Sequence, residues 1–128
     1  LDALQRAARQ MGRSPSEAAA MLLSEALWER EFAFIEFRDS PVGRQAYLKG
    51  TRLAVWQVVW VVRDYGGDLQ QAATHFGLPP IQVAAAMRYA EAFPGEIEDA
   101  LKDQAWAAEN LERLIPNLKV VTVNAPSA

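Results

Sequence analysis

The sequence predicts a mainly α-helical fold in which a β-hairpin joins two helical parts, and three observations lead there. "RSPSE" stands between two runs of helical apolar spacing, "FAFIEFRDSPVGRQAYLKG" alternates around a Pro-Gly turn, and from Thr51 onward the apolar periods are punctuated by Gly66-Gly67, Gly77 and Pro94-Gly95.

In "LDALQRAARQMG", Leu1, Leu4, Ala8 and Met11 recur at helical spacing and Gly12 follows as a natural C′ glycine, which predicts the first helix. The second begins with Ser14 as N-cap, Pro15 at N1 and Glu17 three residues past the cap, a capping box, and runs to about Glu31 with Ala18, Met21, Leu22, Glu25 and Trp28 along its faces. "FAFIEFR" (32–38) and "RQAYLKG" (44–50) are rich in strand formers and flank the turn chemistry of "DSPVG", so they predict a hairpin.

"GTRLAVWQVVWVVRDYGG" carries β-branched residues that favour a strand, but its length and terminal glycines favour a buried helix, and helix is the reading adopted. Asp68 caps "DLQQAATHF", whose stripe is Leu69, Ala72, Ala73 and Phe76. After "GLPP", "IQVAAAMRYAEAF" places Ile81, Ala84, Ala85 and Tyr89 on one stripe, with Val83 and Met87 beside it. Pro94 and Gly95 interrupt, and "EIEDALKDQAWAAENLERLI" resumes as a helix with acidic residues in its first turn. "NLKVVTV" reads as a short strand, either added to a neighbour's sheet edge or paired within its own dimer or domain. Four parts follow: 1–31, a hairpin connector at 32–50, a helical domain at 51–115, and a tail at 116–128.

At 128 residues the chain can bury one substantial core. With no cysteine it holds neither a disulfide framework nor a thiolate zinc site, and no apolar run is long enough to cross a bilayer, so a cytoplasmic protein without a membrane association is expected. The net charge of −3 is unevenly spread. Residues 1–63 hold nine Arg/Lys against seven Asp/Glu, and residues 64–128 hold four against nine, which places any phosphate contact in the first half.

The single histidine, His75, has no second histidine or cysteine to share a metal, and Glu96, Glu98, Asp99 and Asp103 are spaced as a solvated helix face. No phosphate loop, dinucleotide fingerprint or nucleophile elbow is present, so no enzyme activity, cofactor or metal is expected. Among the tryptophans, Trp56 is predicted in the core and Trp28 at a subunit interface, with Trp106 open between the two.

Free backbone amides at the start of the second helix, beside Ser14 and Ser16 and near Arg13, form an anion site suited to a DNA phosphate, and Arg6 and Arg9 extend it. Residues 1–31, with "LDALQRAARQMGRSPSE" followed by an alanine- and leucine-rich helix, resemble the two helices of a ribbon-helix-helix domain. The resemblance implies a homodimer that binds operator DNA. In that family a base-reading strand precedes the first helix and would here lie upstream of Leu1.

The stretch "GRQAYLKGTRLAVWQVVWVVRDYGGDLQQAATHFGLPPIQVAAAMRYAEAFPGEIEDAL" covers about half the chain and resembles the domain-of-unknown-function family four-three-three, a helix-turn-helix-like domain of bacterial antitoxin genes. The resemblance implies an apolar central helix around Trp56, Val59, Trp60 and Val62, and a PIN-like ribonuclease as partner in the manner of a VapB-type antitoxin. Such enzymes hold metal ions with clustered carboxylates, which an antitoxin can cover or meet with a cation; Arg113 and Lys119 are the candidates here.

The helix after the turn offers only Gln82 and Arg88 to bases or phosphates, opposed by Glu91, so this turn is read as a scaffold or protein surface. The alternative is a stand-alone transcription regulator using Gln82 and Arg88.

Overall fold

The computed structural model describes residues 2–114. They form α1 (Asp2–Met11), α2 (Pro15–Glu31), β1 (Ile35–Ser40), β2 (Gly43–Leu48), α3 (Val55–Asp64), α4 (Leu69–Phe76), α5 (Pro80–Ala92) and α6 (Pro94–Leu114). The architecture is mainly helical, with one antiparallel two-stranded hairpin among the described residues. The strand expected at 117–123 lies outside them.

The α1–α2 turn forms as its chemistry dictates. Gly12 adopts φ 66° and the Arg13 amide bonds back to the Ala8 carbonyl at 3.0 Å, closing α1. Ser14 Oγ accepts the Glu17 amide at 3.2 Å and opens α2. Ala8 and Ala18 are buried where the two helices meet, and their small side chains let the backbones approach.

The first strand starts three residues later than the alternation from Phe32 suggests. The Phe32 amide still donates to the Trp28 carbonyl at 2.7 Å as the C-cap of α2, and Phe34 turns the chain at φ 66° before β1 begins. The pairing runs from Ile35↔Leu48 to Ser40↔Gly43, so the turn is the two residues Pro41 and Val42. On the side of β1 away from β2, the Phe37 amide donates to Glu29 Oε1 of α2 at 3.3 Å.

The β-branched segment after Thr51 is a helix, shorter than its apolar run. Leu48 donates to Leu53 at 2.9 Å and Tyr47 bridges Ala54, so residues up to Ala54 still belong to the hairpin. Gln57 then accepts the Ala54 amide at 2.9 Å and α3 begins. Val55, Val58, Val59, Val61 and Val62 are all buried because β2, α4, α5 and α6 surround the helix. Burying each valine stabilises the fold by roughly 1.5 kcal/mol. Trp56 and Trp60 are half-buried and stack at 6.1 Å.

Two expectations about packing change. The buried stripe of α5 is Val83, Ala86 and Tyr89, whereas Ile81 is 64% exposed and Ala84 and Ala85 are half-buried; the buried face is centred on Ala86, which lies about 140° around the helix from Ile81. Trp28, expected at a subunit interface, packs within the chain at 5.8 Å from Phe37 and 5.1 Å from Phe93. Phe32, Ile35, Ala46 and Leu48 share one core with the valines of α3 and with Tyr89 and Ile97, so the hairpin is a wall of the core. Finally, α6 begins at Pro94 itself, proline taking a first-turn position where no amide donor is needed.

Candidate nucleic-acid and protein-binding surfaces

On α1, Arg6 and Arg9 stand three residues and so about 60° apart around the helix axis, and Arg13 follows just past the Gly12 turn that ends the helix. All three are exposed, while Ala8 is buried and Leu4, Ala7 and Met11 are half-buried on the opposite side. The apolar stripe turned to α2 therefore fixes the arginines toward solvent.

At the start of α2 the expected anion site is already partly filled. Ser14 Oγ donates to Glu17 Oε1 at 2.9 Å, and Arg13 reaches Glu17 Oε2 at 3.7 Å. Glu17 thus places its carboxylate among the donors that a phosphate would use, and accepts the Ser14 hydroxyl instead of closing the capping box on the Ser14 amide. Ser16 is exposed beside it. A phosphate binding here must displace Glu17, whereas Arg6 and Arg9 have no ion pair among the described residues.

The second surface is the α4–α5 turn. Asp68 Oδ1 accepts the Gln71 amide at 3.1 Å, Gly77 takes φ 68° at the C-cap, and the Leu78 amide reaches the Ala73 carbonyl at 3.0 Å. On α5, Gln82 is half-buried and Arg88 is exposed, and six residues of helix set them about 120° apart around the axis. They do not share a face. Ile81 and Arg88, seven residues apart, do, and with Phe34, Ala84 and Ala85 they line an apolar groove of about 260 Å³. Arg88 lies 5.7 Å from the centre of the Phe32 ring. His75 is exposed on α4, its Nδ1 3.2 Å from the Tyr65 hydroxyl.

Compared with family models, characterised proteins and solved structures, the chain matches none. What these surfaces do is read from their chemistry. No helix among the described residues is long and apolar enough to cross a membrane, and no group of three or more histidines and carboxylates among them could hold a metal ion.

Arg113 falls in the last turn of α6 with its side chain outside the described part, and Lys119 lies outside the described residues altogether. A third surface, apolar like the α5 groove, lies on α2, where Leu23 is 64% and Leu27 55% exposed, one helical turn apart.

Several charged pairs hold the site together, and none was read as a pair from the sequence; Glu96 and Glu98, expected on a solvated helix face, have partners in Tyr89 and Arg63. Arg44 of β2 binds the buried Glu25 of α2 through Nε and Nη2, one edge of its guanidinium, and its Nη1 reaches Asp39 at 3.2 Å. The Glu36 carboxyl is held below its ordinary range by hydrogen bonding from Arg38, and Glu98 by hydrogen bonding from Arg63. Burial instead raises the Glu96 carboxyl, even though the residue keeps an exposed edge, and the hydrogen bond from Tyr89 at 2.7 Å opposes that rise. Burial pushes the Tyr89 hydroxyl well up. The one sequence signal for these pairs was a charged residue on a helix face that is otherwise apolar, as at Glu25.

Proposed function

We propose that the chain is the antitoxin of a type II toxin–antitoxin pair: a cytoplasmic homodimer that binds and inhibits a PIN-like ribonuclease and represses its own operon by DNA binding. The observation that carries this reading is the separation of two surfaces. In a chain of net charge −3, Arg6 and Arg9 share one solvent face of α1 and Arg13 is exposed just past its end, while the outer face of α5 is an apolar groove. Phosphate attraction belongs to the first and protein contact to the second.

The leucines of α2 supply a self-complementary face for the dimer, with exposed Ala19 and Ala26 leaving room for Leu23 and Leu27 of a second copy. The mainly helical architecture accommodates a ribbon-helix-helix-like pair in α1 and α2 and a helix-turn-helix-like unit in α4 and α5. A stand-alone regulator reading bases through Gln82 and Arg88 is disfavoured, because those side chains leave α5 on different faces.

The test is recovery of the full-length protein from its native lysate, with mass spectrometry of what accompanies it and a ribonuclease assay of the partner alone and rebound. A small carboxylate-rich ribonuclease in near-equal amount, active when separated and silent when bound, is the expected result. Recovery of DNA alone, or of nothing, overturns the toxin partner.

A further inference from the structure

A cleft of about 530 Å³ opens where α2 meets the C-terminal helices. One wall is Ala20, Met21 and Trp28 of α2; the other is Phe37 of β1, with Tyr89 of α5 and Glu96 of α6 at its polar end. Clefts of roughly 300–1,000 Å³ with mostly apolar walls and a few convergent polar groups are the usual form of small-molecule sites.

The charges around the cleft decide what it accepts. Arg13 at its mouth pairs with Glu17, and Arg44 donates to Glu25, Asp39 and the Phe37 carbonyl, so both guanidinium groups are engaged within the chain. Glu96 is the carboxylate left over. Its Oε2 accepts the Tyr89 hydroxyl at 2.7 Å, and no lysine or arginine among the described residues comes within 4 Å of it. Tyr89 donates without cancelling the charge, and the cleft is lined by Trp28 and Phe37, aromatic residues of a type whose ring attracts cations.

We propose that this cleft binds a small organic ammonium ion, the ammonium group meeting Glu96 and the apolar body lying against Met21, Trp28 and Phe37. An occupant touches both the α1–α2 hairpin and the helices behind it, so it fixes the arginine face of α1 relative to the rest of the chain. The assignment does not depend on what α1 binds.

The experiment titrates the full chain separately with phenethylamine hydrochloride, 2-phenylethanol and phenylacetate, following heat and tryptophan fluorescence. The amine is expected to bind most tightly and the carboxylate least. Glu96→Gln should weaken the amine about tenfold, equivalent to about 1.4 kcal/mol, and leave the alcohol unchanged. Ala20→Phe, at an exposed position of the wall, should block both while leaving the thermal melt intact. The proposal is overturned by an amine that shows no saturable binding, that binds no better than the alcohol or the carboxylate, or that binds Ala20→Phe as tightly as the parent. If Glu96→Gln does not fold, the probe series on the parent and Ala20→Phe decides.

Discussion

Arg44 of β2 grips both oxygens of the Glu25 carboxylate on α2, nineteen residues earlier in the chain. Glu25 is 6% exposed, and the pair is the polar tie between the N-terminal hairpin and the core that it packs against. Removing Arg44 strands the Glu25 charge with little water to solvate it, whereas removing Glu25 leaves Arg44 paired with Asp39. Arg44→Ala should therefore lower the unfolding free energy by about 3 kcal/mol in urea titrations, the lower end of what breaking a buried pair costs. Replacing both residues with leucine should cost clearly less than Arg44→Ala alone. Equal losses would mean that the pair is not the tie.

Acid and neutral conditions should act in opposite directions on two sets of carboxylates. Glu36 and Glu98 sit below the ordinary 4.5, so the unfolded chain binds more protons there; their stabilisation is complete above 4.5 and is lost as pH falls through their lowered values. Glu96 sits above 4.5, so the folded chain binds more protons in the window between 4.5 and its raised value, and stability falls as pH rises through that window. Melting temperatures across this range should show Glu96→Gln gaining on the parent as pH rises, and Glu36→Gln losing its deficit as pH falls.

Gly77→Ala isolates a backbone effect. A Cβ there meets nothing within 4 Å, but φ is 68°, so the cost is the left-handed conformation alone. A loss of about 1 kcal/mol is expected, read from urea midpoints with an unchanged slope. Gly77→Asn should lose less, because asparagine tolerates that region better.

These residues also show what the sequence could and could not reveal. Ser14, Asp68 and Gly77 were legible because caps and left-handed glycines act through their own neighbours, and the helix assignment for the valine-rich α3 followed from its length and terminal glycines. The start of β1 was not, since Phe32 alternates like a strand residue but is held by the last turn of α2. The α5 stripe was misplaced because alanines mark no side, and only α3 and α4 packed against that helix choose Val83 and Ala86 over Ile81. At the anion site, Glu17 was read as half of a capping box, and its competition with phosphate emerged only from where its carboxylate lies. The Glu25–Arg44 tie joins distant segments, which no local pattern reports.

If α1 carries the phosphate contacts, Arg6→Ala and Arg9→Ala should each weaken operator binding across sequences and reduce the salt slope by about one. Gln82→Ala and Arg88→Ala should leave that slope unchanged. Fluorescence anisotropy over a salt series measures both, and the reverse pattern would move the DNA contact to α5.

Leu23→Lys tests the α2 face. At 64% exposure the leucine contributes little to the folded chain, so the melt of a dilute sample should change little, whereas sedimentation should show a dimer becoming a monomer. An unchanged sedimentation coefficient would remove this face from the assembly.

The contact of Glu29 with the Phe37 amide has a consequence for the chain in concentrated solution. A two-stranded hairpin has an outer rim on each side, and an unoccupied amide there is a template on which a foreign strand can grow. On the β1 rim that amide is already bound by a carboxylate from the chain's own helix, and the same carboxylate sets a negative charge before any approaching backbone. Glu29 thus occupies the position on that rim from which a foreign strand would have to start.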